Sequence, residues 1–104
     1  MIYAGIGGFN LELICKVNLS QMTELRAVIV RPDGSRANKD IALAVIQTLT
    51  LGATLAIAVA ATDFPKADYY KLQVAARDAA GASIYFKIIE FNVAALIVPD
   101  FWDA

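Results

Sequence analysis

From Ile41 to Thr62 the chain runs for 22 residues without a charge, bracketed by Asp40 and Asp63. Such a run admits few solutions: a membrane-spanning helix, a buried helix, or strands that are apolar on both faces. It is long enough to span, since roughly 20 residues cross the hydrocarbon. Its polar residues argue otherwise, because Gln47, Thr48, Thr50 and Thr54 gather at the midpoint. Lys39 stands alone at one end, and no tryptophan belt marks either end. "TLAIAVAA" then alternates large with small, Leu55, Ile57 and Val59 against Ala56, Ala58 and Ala60. That is the period of a sheet strand, and a lipid-facing helix has no need of it. Gly52 divides the run, so the pattern predicts two strands, about 41–49 and 54–61, joined as a hairpin through "TLGA". The helix propensity of alanine favours the competing reading, a buried or membrane helix.

The flanking segments carry clearer strand patterns. In "GGFNLELICKVNL", Phe9, Leu11, Leu13, Cys15, Val17 and Leu19 share one face, with Ile14 the exception opposite. Leu25, Ala27 and Ile29 oppose Arg26, Val28 and Val30 before a turn at Pro32-Asp33-Gly34. "YYKLQVAARD" sets Tyr70, Leu72, Val74 and Ala76 against Tyr69, Lys71, Gln73 and Arg77. After "AAG" the chain returns with Ile84, Phe86 and Ile88 on one face. Phe91 and Val93 then match the other set, which predicts a register-switching bulge near 89–90. Lys71 or Arg77 is placed to face Glu90 across strands. Short strands with turn signals every 8–12 residues make an all-β chain, a β-sandwich of six or seven antiparallel strands.

At 104 residues this is one domain, read as 1–98, followed by a short aromatic arm, 99–104. No basic n-region precedes Lys16, so a signal peptide is not expected. The chain is 59% apolar and only 18% charged, against the usual ~45–50% and ~25%. A surface so short of polar material is expected either to be covered by a partner or to meet lipid in part.

Chemistry-bearing residues are sparse. There is no histidine, and the net charge of -1 gives no electrostatic footing for nucleic acid. Cys15 is the only cysteine; it can form no intrachain disulfide and reads as a small buried hydrophobe. Asp33, Asp63 and Asp78 lie in or beside turns and read as caps of their own backbone. Asp63 and Asp68 lack the ligand density of a calcium loop. "AGIGG" at 4–8 precedes a strand, not a helix, and matches no phosphate-binding fingerprint. Met22 reads as a core plug. No enzyme activity, cofactor, metal or small-molecule substrate is expected.

The apolar excess is the more informative signal. Tyr3, Tyr69, Tyr85, Phe101 and Trp102 fall on outward strand faces or in the tail, and are the candidate interface residues. Val28, Val30, Tyr85 and Ile89 make second strand faces unusually apolar, as in a sheet covered on both sides or paired at its edge.

"YAGIGG", "LRAVIVRPDGS" and "ATDFPKADYYKLQVAARDAAGASIYFKIIEFNV" together resemble small immunoglobulin-like sandwich modules of tailed-phage virions. The likeness is greatest to the N-terminal domain of phage baseplate upper proteins and to related tail or neck accessory proteins. It covers about residues 2–93. Arg31-Pro32-Asp33-Gly34 matches the turn after the second strand, and Tyr70-Lys71-Leu72-Gln73-Val74 the late strand. Asp68 stands where a glycine is usual, and the middle strands are alanine-rich rather than threonine-rich. The resemblance implies an immunoglobulin-like fold and a non-catalytic role in the virion, with partners that are copies of itself or other virion structural proteins. Two other readings stay open: a carbohydrate- or peptide-binding module using Tyr69, Tyr85 and Trp102 to stack, and a small membrane-associated protein using 41–62.

Overall fold

The computed structural model describes residues 2–95. It is an all-β architecture with one helical turn. In chain order the elements are β1 (Ile2–Tyr3), β2 (Phe9–Ile14), β3 (Glu24–Val30), β4 (Arg36–Asp40), α1 (Leu43–Ile46), β5 (Thr54–Val59), β6 (Asp68–Arg77), β7 (Ser83–Tyr85) and β8 (Ile89–Ala94). The larger sheet has the order β1-β8-β6-β3-β4, with β7 also pairing with β6; β2 and β5 form a second, two-stranded sheet. Among the described residues the strand count is thus eight rather than six or seven. One pair, β1 with β8, is parallel, where an all-antiparallel fold was expected. The two residues of β1 lie too early in the chain to show any period.

Alternation produces the core. Leu25, Ala27 and Ile29 of β3, Leu55, Ile57 and Val59 of β5, and Tyr70, Leu72, Val74 and Ala76 of β6 are all buried and join one cluster. Removing these side chains from water is the main stabilising term, about 1.5–3 kcal/mol for each large one. Ile46 of α1, Val93 of β8 and the loop residues Cys15, Leu19, Leu49 and Phe64 complete the cluster. Phe64 meets Tyr70 and Phe91 edge-on, at 5.0 and 5.5 Å between ring centroids. The Tyr70 hydroxyl donates to the Lys66 carbonyl at 2.6 Å and accepts from the Lys66 N–H at 3.2 Å.

The uncharged run folds differently from the hairpin expected of it. Its second half is strand β5, but that strand pairs antiparallel with β2, far away in sequence. Its first half is α1 and the turns around it. The burial explains why: Ile46 and Leu49, three apart, are buried, while Leu43, Ala44 and Val45 are exposed. That is helical spacing, in a segment of good helix formers.

The hairpin that does form runs through the Pro32–Gly34 turn and joins β3 to β4. Strand β4 has no alternating apolar set to announce it. Ala37 and the stem of Lys39 face inward, and Arg36, Asn38 and Asp40 face out.

The predicted bulge is present, just before the expected position. Ala75 opposes Tyr85, whereas Leu72 opposes Ile89, so β6 advances three residues while its partner advances four. The extra residue lies in 86–88, where the Phe86 N–H donates to Val74 and the Gln73 amide donates to the Phe86 carbonyl at 2.8 Å. Across this break the core-facing set passes from Phe86 to Phe91 and Val93, while Ile84, expected on the same face as Phe86, is exposed.

Candidate functional site

Three of the five interface candidates share one surface. Tyr69 and Tyr85 point outward from the larger sheet by register, since their partners in β6 and β8 alternate with the buried set. Tyr3 opposes Ala94 next to the inward pair Ile2 and Val93, so it too points outward. Tyr3 and Tyr69 stand toward one end of this face, and Tyr85, 72% exposed, toward the other. Phe101 and Trp102 lie outside the described residues.

Around Tyr85 the register assembles a row from four strands: Asp40 of β4, Arg26 of β3, Ala75 of β6 and Tyr85 of β7. Arg26 holds Asp40 through two hydrogen bonds, at 2.5 and 3.4 Å, and the paired carboxylate raises the guanidinium pKa further. In the neighbouring row Arg77 reaches Glu24 at 2.7 Å. Both pairs are exposed, so each contributes little to stability. Because Ala75 is small, the sheet surface sinks between the flanking side chains into a groove of about 620 Å³, which Val28, Gln73 and Tyr85 also line.

A second depression lies between the two sheets at the bulge. It is a slot of about 180 Å³, almost wholly apolar, lined by residues that include Leu13, Ile14, Val17, Leu55, Phe86 and Ile89. Ile14 is 61% exposed at its rim, and Val17 and Ile89 are also exposed. Cys15 lines the slot as a free, buried thiol, and burial pushes its pKa up. A thiol held protonated is a poor nucleophile.

The turn aspartates cap backbone as their positions suggest. Asp33 accepts from Ser35 N–H and Oγ, which holds its carboxyl below the usual range, and Asp78 accepts from Ala80 and Ala82. Asp63 does more than cap Ala60 N–H at 2.8 Å: it is buried and takes Lys39 Nζ at 2.6 Å, with Arg31 Nη2 at 3.9 Å. This ties the β3–β4 hairpin to the loop after β5. Glu90 sits opposite Lys71, at 3.8 Å, while Arg77 pairs with Glu24 instead.

Among the described residues no three acidic, cysteine or histidine side chains converge as metal ligands, and no helix is long and apolar enough to cross a membrane. No family model matches the chain, and no curated protein or solved structure is significantly similar to it. The groove was not visible in the sequence, because one of its walls comes from β4, which carries almost no apolar pattern, and the placement of Tyr85 beside it depends on strand registers. The signal available was the turn at 32–34, after which a second strand must follow if the hairpin is to close.

Proposed function

We propose that this chain is a non-enzymatic assembly module with an immunoglobulin-like sandwich fold, serving as a tail, baseplate or neck component of a phage virion. The fold reading rests on two features. Strands β8, β6, β3 and β4 against β2 and β5 follow the partition of an immunoglobulin sandwich, in which G, F, C and C′ oppose B and E. The bond from Tyr70 Oη back to Lys66 has the form of a tyrosine corner, at the start of the strand that corresponds to F. The parallel β1–β8 pair then takes the place of a first strand laid along G.

The assembly reading rests on the apolar slot between the sheets. Ile14, Val17 and Ile89 around it are exposed, as is Ile88 next in sequence, and an exposed apolar group of this kind favours a protein partner. A second copy of the chain is the occupant that a structural protein building rings would supply. Measuring native mass by light scattering tests this. A discrete oligomer, reduced to monomers by Ile14→Lys or Ile89→Lys, supports it, and a wild-type chain that stays monomeric at every concentration overturns it. Gene neighbourhood tests the virion assignment: tail, baseplate or neck genes support it, and an operon of metabolic enzymes overturns it.

A further inference from the structure

The groove over Ala75 has the makings of a ligand site distinct from the apolar slot. Strand spacing is about 4.8 Å, so Tyr85 and Arg26, two strands apart, are separated by roughly 10 Å with only the Ala75 methyl between them. A ring in van der Waals contact with both walls needs about 7 Å, two contacts of about 3.5 Å. One flat ring fits that gap, with the exposed Tyr85 side chain on one side.

The polar groups define what kind of ring. Two guanidinium groups, Arg26 and Arg77, and two carboxylates, Asp40 and Glu24, bring the formal charge of the groove to zero. A phosphate or polyanion would meet the carboxylates, and a cation would meet the guanidinium groups. Each ion pair leaves lone pairs and N–H donors turned to solvent, the complement of vicinal hydroxyls that donate and accept together. Gln73 adds a further acceptor: its amide N–H is committed to Phe86, which leaves Oε1 free. Most of the side chains lining the groove are charged or polar, so an apolar peptide would gain little there. We propose that this groove binds a neutral saccharide, one pyranose ring lying between Tyr85 and Arg26 with its hydroxyls on Arg26, Gln73 and Arg77.

The test is chemical-shift mapping of the full chain, titrated with maltohexaose, cellohexaose, laminarihexaose and chitohexaose, and with inositol hexaphosphate as the charged control. At least one oligosaccharide is expected to shift the amides of Ala75, Tyr85 and Arg26 in a saturable manner. Tyr85→Ala should weaken that binding about tenfold, equivalent to about 1.4 kcal/mol. Ala75→Leu, which fills the gap on an outward position, should abolish it while the remaining spectrum is kept. Silence from all four sugars overturns the proposal, as does binding unchanged by Ala75→Leu or a stronger response of the same amides to inositol hexaphosphate. Native mass plays no part in this readout, so its result is independent of the assembly test.

Discussion

Lys39 on β4 places its ammonium 2.6 Å from the buried carboxylate of Asp63, in the loop that follows β5. Arg31 adds its guanidinium to the same loop, donating to the Asp63 carbonyl at 3.1 Å. Removing Lys39 leaves the buried carboxylate with only the more distant Arg31, at 3.9 Å, and removing Asp63 leaves the half-buried ammonium without its partner. Lys39→Met is expected to cost about 3–5 kcal/mol, and Asp63→Asn a similar amount, by urea denaturation. The double variant should recover part of the loss, because neither charge is then stranded. Single variants as stable as wild type would show that water, not the partner, solvates each charge.

Tyr70 supplies a second anchor at the same end of the molecule. Its hydroxyl fixes the Lys66 backbone while its ring stacks in the Phe64 and Phe91 cluster. Tyr70→Phe removes only the hydrogen bonds and should cost about 0.5–1.5 kcal/mol in unfolding free energy. Tyr70→Ala also leaves a cavity and should cost about 3–5 kcal/mol. If the two substitutions proved equally costly, the hydroxyl rather than the ring would carry the contribution.

Where one face of a strand is apolar, its alternation was legible: Leu55, Ile57 and Val59 point inward as the large–small pattern implies, and so do the inward sets of β3 and β6. Residues 41–49 were misjudged because a fully uncharged run has no polar face to betray its period, and only the burial of Ile46 and Leu49 distinguishes helix from strand there. Strand β4 was missed for the opposite reason, since Arg36, Asn38, Lys39 and Asp40 offer no apolar set at all. The outward direction of Tyr69 and Tyr85 followed from parity alone. Their relation to Arg26 and Asp40 did not, because it depends on the registers of three strand pairs at once. Asp63 was legible as a turn cap, but its ion pair depends on how a loop packs on a distant hairpin.

Gly7 lies where the chain leaves the larger sheet for the smaller one, and a Cβ on it would fall on the Ala60–Ala61 peptide. That obstacle is backbone, so nothing can rotate away. Gly7→Ala should therefore displace the start of β2 and cost more than Gly5→Ala. At Gly5 the φ of 73° is the only objection, worth about 1–2 kcal/mol. Comparing the two thermal midpoints separates close approach from backbone conformation. A smaller loss at Gly7 than at Gly5 would contradict the packing described.

Cys15 gives a readout of the slot and of its pH dependence. Burial disfavours the thiolate, so the folded pKa lies above that of the unfolded chain. The sign follows by linkage. The contribution to stability is fully present below the unfolded pKa, and is lost as pH rises through the folded one, because the unfolded state then gains more from releasing its proton. Wild type is thus expected to lose stability in the alkaline range relative to Cys15→Ala, which lacks the titrating group. Native Cys15 should also react with iodoacetamide far more slowly than the urea-unfolded chain at the same pH. A second copy seated in the slot would slow it further as protein concentration rises. Equal rates in the folded and unfolded states would place the thiol in solvent and contradict the packing of β2 against the bulge.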